Sequence, residues 1–359
     1  MCNVTGVYEM IMDDRKKRIL QAIIDDYIDS AEPIGSRTIA RKHELGLSSA
    51  TIRNEMADLE EMGYLAQPHT SAGRIPSDKG YRLYVDKLMP AHSLNRDEIE
   101  KLRSAMETRI NELSQLIRQA SAVLSRFTKY TSMAVTPHLK SSTIKAIQVV
   151  PIEAGKALVI VVNNAGIVRN NLIKLSEYVM PDALIRVSNM LNDKLAGLTI
   201  EQVDMKRIMD MERETGVPFE ILRPILDGAA VCIDQMDEQE IYVEGTTNIL
   251  NHPEFKDVVK AREFMSMLDE KTSLCKALFN AISPEGITVK IGSENDLSGI
   301  KDCSVVTVNY NVADTLIGSI GIIGPTRMEY PKVISSMRYV QMLVSDEINR
   351  LLGQDPGDG

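Results

Sequence analysis

The residues best suited to chemistry lie between Ser36 and Lys79, and the chemistry they suit is recognition of a polyanion rather than catalysis. Ser48, Ser49, Thr51, Arg53 and Asn54 open a helix-forming run. Arginine can pair a guanine edge through two hydrogen bonds and asparagine an adenine edge, while Ser and Thr hydroxyls suit phosphates or bases. Ser36 and Arg37 open a shorter run upstream. His69, Thr70 and Arg74 fall in QPHTSAGRIP, which has the turn residues of a hairpin tip and a cation on the returning strand. Taken alone, Thr51, Arg53 and Asn54 read better as the polar face of a solvated helix. The order of the surrounding elements favours recognition.

Ser36 is placed to cap a short helix containing Ile39, Ala40 and His43, and Gly46 to stop it in a left-handed conformation. Ser48 or Ser49 then caps a second helix, whose Ile52, Met56 and Leu59 share one apolar face. Upstream, Ile19, Leu20, Ile23, Ile24, Tyr27 and Ile28 form the stripe of a scaffold helix. Three helices followed by a hairpin is the order of a winged helix-turn-helix, which lays one helix in a DNA major groove. Residues 12–90 hold twelve Lys/Arg against thirteen Asp/Glu, so the basic footprint must be local. It is expected on Arg37, Arg41, Lys42, Arg53, Arg74, Lys79 and Arg82, with Asp25, Asp26, Glu60 and Glu61 facing away from phosphates.

Other chemistries find little support. The net charge of −9 and pI near 5.3 disfavour a general polyanion binder but leave room for a local reading surface. Cys2, Cys232, Cys275 and Cys303 are scattered without CxxC spacing, which suits a reducing cytosol. The five histidines are far apart and form no HExxH, so no metal is expected. There is no P-loop and no GxSxG, and Gly318, Gly321 and Gly324 have the wrong spacing for a dinucleotide loop. They are expected to serve close packing or bulges at strand ends. No cofactor and no enzymatic activity are expected. No apolar run approaches the roughly 18 residues of a membrane span, and no signal peptide is evident, so a cytoplasmic protein without membrane contact is expected.

Along the chain, a long helix is expected from about Arg96 to Lys129, suited either to a coiled-coil-like contact or to lying on a sheet. Strands follow at TIKAIQVVPI, ALVIVVNN and GIVRNNLIKL, then helices between Pro181 and Gln235. Strands resume at IYVEG, ITVKIG, SVVTVNY and TLIGSIGIIG, and a last helix carries Val333, Met337, Val340, Val344, Ile348 and Leu351. Strands interrupted by a helical block suggest an inserted domain.

The stretches IDSAEPIGSRTIARK, LSSATIRNEMADLEEMGYLAQPHTSAGRIPSDKGYRLYVD and GIIGPTRMEYPKVISSMRYV resemble the heat-inducible transcription repressors called HrcA, and VPFEILRPILDG and GTTNILNHPEF are similar to that family too. The resemblance runs from about Met12 to Leu352. It implies an α+β multidomain chain: an N-terminal winged helix-turn-helix, a GAF-like α/β domain and a helical dimerising insert. The corresponding boundaries are 12–90, then 91–180 and 246–352 for the GAF-like domain, and 181–245 for the insert. Residues 1–11 are expected to be a leader, an extension or a misassigned start, and 353–359 a disordered tail. The implied function is a homodimeric repressor of chaperone operons. It would bind double-stranded DNA at an inverted-repeat operator of the CIRCE type and lose activity on heat or shortage of a GroEL-type chaperonin partner. The implied contacts fall on Ser48–Asn54 and on His69, Thr70 and Arg74. A ligand-sensing regulator with a small molecule in the GAF-like domain is the alternative.

Overall fold

The structure is a computed structural model, and it describes residues 12–69, 72–107, 113–135, 143–164, 168–176, 179–199, 202, 218–237, 241–270, 286–312 and 315–351. Thr70, the helix expected at EQVDMKRIMDMER apart from Gln202, the leader and the tail lie outside the described residues.

The chain opens with α1 (Asp14–Ser30), capped by the Asp13 carboxylate and stopped at Ala31, which is left-handed at φ 55°. Of its predicted stripe, Ile19, Leu20, Ile23 and Ile24 are fully inaccessible, Ile28 is buried and Tyr27 is half-buried. Across it lie α2 (Ser36–Lys42) and α3 (Ser49–Glu61), joined through Ile39, Ile52, Met56 and Leu59. Gly35, not Ser36, is the N-cap of α2 and provides no side-chain bond; Ser36 is already helical. Helix α2 ends at Lys42, and Gly46 takes its left-handed φ of 68° in the turn beyond. Two residues each of β1 (Leu65–Ala66) and β2 (Ile75–Pro76) pair antiparallel, and α4 (Asp78–Leu83) runs on through a π-helical turn to Leu88.

The single helix expected from Arg96 to Lys129 is two helices, α5 (Arg96–Met106) and α6 (Leu113–Thr128), folded back on each other. Gln119 Nε2 donates to the Ala105 carbonyl at 2.5 Å, a contact that a straight helix, rising about 1.5 Å per residue, would forbid. Folding back lets Leu102 and the α6 face of Leu113, Leu116, Ile117, Ala120 and Leu124 enter one core.

A five-stranded antiparallel sheet is built from β3 (Thr131–Val135), β7 (Ile241–Glu244), β8 (Ile287–Ile291), β9 (Cys303–Val312) and β10 (Thr315–Pro325), in the order β7-β3-β10-β9-β8. Helices α6 and α10 (Tyr330–Leu351) cover one face. Two 3-10 turns and α9 (Val258–Asp269) cover the other through Ile249, Phe255 and Phe264. Two glycines of β10 serve close packing: a Cβ on Gly318 would lie 2.1 Å from the Tyr310 hydroxyl, and one on Gly324 would lie 2.6 Å from the Tyr130 ring.

The sequence pattern groups the strands of residues 144–174 with the sheet domain and starts the insert at 181; strand pairing divides the chain elsewhere. Strands β4 (Ile144–Glu153), β5 (Lys156–Asn163) and β6 (Val168–Lys174) bond only to one another among the named strands. Helices α7 (Pro181–Leu195) and α8 (Phe219–Asp237) cover one face of them and complete a separate core. The Ser188 hydroxyl and Asn192 side chain bond β4 directly. Strand β7, assigned from sequence to the insert, pairs with β3 instead. Short tight connections explain the grouping, because consecutive antiparallel strands satisfy one another's backbone groups before any distant strand can.

Candidate nucleic-acid interface

The hairpin is held against the chain just ahead of α2. Ile34 N donates to the Arg74 carbonyl at 2.9 Å, and Arg74 N returns a bond to the Ile34 carbonyl at 2.8 Å. Only glycine fits beside this bridge, since a Cβ on Gly73 would lie 2.4 Å from the Ile34 oxygen. Between the hairpin, the start of α2 and the flank of α3 is a cleft of about 520 Å³. Ser36, Arg37, Arg53 and Arg74 line it, with Gln67 at the hairpin base. Four residues singled out from three separate stretches of sequence therefore converge on one surface.

Helix α3 presents the remaining candidates. Ser48 caps it, accepting from Thr51 N at 3.1 Å, and its hydroxyl pairs with that of Thr51 at 2.9 Å. The same two hydroxyls remain at the surface beside Ser49. Arg53 and Asn54 are exposed on the first turns. His69 is exposed at the hairpin, away from the named lining of the cleft.

The structure redistributes the basic residues expected to form the footprint. Arg74 forms an ion pair with Glu60, Nη2 to Oε2 at 2.7 Å and Nε to Oε2 at 2.8 Å, so it braces the hairpin against α3. Lys42 pairs with buried Asp26 at 2.8 Å, and its ammonium is held charged by that bond. Lys79 donates to the Met62 carbonyl and sits over the Tyr64 ring. Arg82 reaches Glu294 in the turn that follows β8. Arg37, Arg41 and Arg53 are exposed and have no ion-pair partner among the described residues. Sequence reasoning also missed buried Glu55 on α3, which Arg15 and Lys16 hold at 3.2 and 2.7 Å. Its position on the apolar side of α3, one residue before Met56, was the available signal.

Guanidinium groups without ion-pair partners among the described residues, the Ser36 hydroxyl at the start of α2 and a hairpin flanking the same cleft suit a ligand that presents anionic oxygens and hydrogen-bonding edges along a line. Among the described residues, no cluster of His, Cys, Asp and Glu could hold a metal ion, and no helix is long and apolar enough to cross a membrane.

The family described as HrcA protein C terminal domain matches residues 114–334. The heat-inducible transcription repressor HrcA of Ruminiclostridium cellulolyticum is 61% identical over 345 residues, covering 96% of this chain and 99% of that protein. The protein of the same name from Acetivibrio thermocellus is 56% identical, covering 96% and 99%. A crystal structure described as that of a hypothetical protein superposes with a TM-score of 0.68 at 23% identity, covering 95% of this chain and 99% of that one, which supports the overall fold. The relatives are named as transcription repressors, not enzymes. The chain belongs to the family of heat-inducible transcription repressors HrcA.

Proposed function

We propose that this chain is a cytoplasmic, homodimeric repressor of heat-shock chaperone operons that binds an inverted-repeat operator of the CIRCE type. Residues 12–90 act as a winged helix-turn-helix, with α3 as the reading helix and the β1–β2 hairpin as the wing. The five-stranded sheet with α5, α6, α9 and α10 is the GAF-like domain. The three-stranded sheet with α7 and α8 is the dimerising insert, and its uncovered face leaves Val150, Ile152, Val168 and Leu172 between 37% and 57% exposed for a second copy. One observation carries the reading. Arg37 and Arg53 are the cations of the cleft without an ion-pair partner among the described residues, and Arg53 stands on the N-terminal half of α3, where helix-turn-helix proteins meet base edges. Two copies would set their reading helices on half-sites separated by a multiple of about 10–10.5 bp. Heat would lower the folded, dimeric fraction, and a GroEL-type chaperonin would restore it, because one or two kcal/mol is a large share of net stability.

The test is a fluorescence-anisotropy titration against the intact repeat and a half-site-scrambled duplex, with and without chaperonin. Tight binding to the intact repeat alone, strengthened by chaperonin, is expected. Equal weak binding to both duplexes overturns the reading. A second reading, a ligand-sensing regulator, is favoured by Thr307 Oγ1 and Asn309 Oδ1, buried without a hydrogen-bond partner among the described residues. Its mark would be a small polar molecule that shifts both melting temperature and operator affinity.

A further inference from the structure

Away from the cleft, the N-terminal unit is fastened to the sheet by a polar latch. Asp78, the first residue of α4, places Oδ2 2.8 Å from both the backbone N and the Oγ of Ser293, and both donate to it. The receiving 3-10 turn, Gly292–Glu294, follows β8 directly. Gly292 is left-handed at φ 51°, and a Cβ there would lie 2.2 Å from the Asp78 carboxylate, so the carboxylate fills the space that glycine leaves. One helical turn on, Arg82 pairs with Glu294 through two nitrogens, Nε to Oε1 at 2.8 Å and Nη2 to Oε2. Its Nη2 also donates to the Val289 carbonyl. Burial opposes ionisation of Glu294, but Arg82 and the Ile291 N–H outweigh it and hold the carboxyl below its ordinary range.

These groups are poor candidates for holding either unit together. The side chains of Arg82 and Glu294 are 31% and 36% exposed, and ion pairs that exposed contribute little to stability. Their distinguishing property is direction: a two-nitrogen guanidinium–carboxylate pair and a carboxylate seated on a turn each fix an angle. Neither Asp78 nor Arg82 lines the cleft.

We infer that Asp78 and Arg82, seated on the turn Gly292–Glu294, are positioning residues that set the angle at which the reading unit is held, and hence the half-site spacing that a dimer accepts. The inference rests on the dimeric-operator reading above. A rigidly held pair of reading helices binds a matched repeat far more tightly than one half-site, and the gain disappears when geometry forbids simultaneous engagement.

The test uses the full chain with Arg82→Ala, Gly292→Ala and the charge exchange Arg82→Glu/Glu294→Arg. Each is titrated against a half-site duplex and against repeats whose half-site separation is lengthened one base pair at a time through half a helical turn. The parent protein should show a peak at one spacing. The two single variants should keep half-site affinity within about twofold, lose about tenfold on the matched repeat and show a flattened spacing profile. The charge exchange should restore the peak, a rescue that general destabilisation would not give. Variants that keep the parent's spacing peak, or that lose half-site and repeat affinity in equal proportion, overturn the positioning role while leaving the repressor reading intact. A parent profile without any peak overturns the dimeric-operator reading, and the positioning role with it.

Discussion

Replacing Gly73 by alanine tests the cleft through its backbone. The added methyl would lie 2.4 Å from the Ile34 oxygen, 2.5 Å from its carbonyl carbon and 2.8 Å from its nitrogen. Comfortable separations are about 3.5 Å, so the strand must retreat by roughly 1 Å. The two Ile34–Arg74 bonds, now 2.9 and 2.8 Å, would then leave hydrogen-bonding range. At about 0.5–1.5 kcal/mol each, their loss costs about 1–3 kcal/mol locally. Amide hydrogen exchange reads this directly: protection at Ile34 and Arg74 should drop roughly five- to a hundredfold, about a decade per 1.4 kcal/mol. Operator affinity should fall as well, because Ile34, Gly35, Gly73 and Arg74 all line the cleft. Gly35→Ala is the control, since its methyl would meet nothing nearer than Thr38 Oγ1 at 4.0 Å. Wild-type exchange and wild-type binding in Gly73→Ala would refute the argument that the hairpin is seated by close approach.

Arg53→Ala and Arg37→Ala should each weaken operator binding by about 1–3 kcal/mol if they read base edges, with unfolding changed by less than about 0.5 kcal/mol because neither has an ion-pair partner among the described residues; anisotropy and denaturant titration on the same samples separate the two. Asp25→Asn should be at least as stable as the parent at neutral pH. Burial raises the folded Asp25 carboxyl above its ordinary 3.8, against the opposing Tyr84 hydroxyl bond, so its contribution to stability is present below the unfolded value and lost as pH rises through the folded one. The advantage of the variant should shrink as pH falls toward about 4, and denaturant midpoints across that range check the sign.

Much of the fold was legible because helical stripes are local. The α1 stripe apart from half-buried Tyr27, the α3 stripe and Val333, Met337, Val340, Val344 and Ile348 of α10 are buried as the spacing predicts. The break between α5 and α6 was hidden because apolar residues stepping by three and four continue across it without a proline or glycine to stop the pattern. Periodicity therefore read one helix where the core needs two. The separate sheet of β4, β5 and β6 was missed for a related reason: alternation identifies strands but not which sheet they join. In the candidate site, Ser36, Arg37, Arg53 and Arg74 of the residues singled out from sequence line the cleft, while Ser48, Ser49, Thr51 and Asn54 are not among its lining. The fates of Arg74, Lys79 and Arg82 were not legible, because a cation's partner is set by tertiary contact; Glu294 stands 212 positions from Arg82.

The tyrosines beneath the latch bear on how such a chain can be rearranged. Tyr81 and Tyr330 lie 6.1 Å apart in one continuous core that runs from Ile19 of α1 to Ile348 of α10. Arg327, anchored on Glu254, donates to the Ile28 carbonyl at 3.0 Å near the end of α1. A gene fusion carrying only residues 12–90 would expose Tyr81 and Tyr84 to water and strip that carbonyl of its donor. Recombination has little freedom at this joint: a new N-terminal unit must bring a matching underside, whereas the three-stranded sheet with α7 and α8 has a core of its own and can be exchanged with less disturbance.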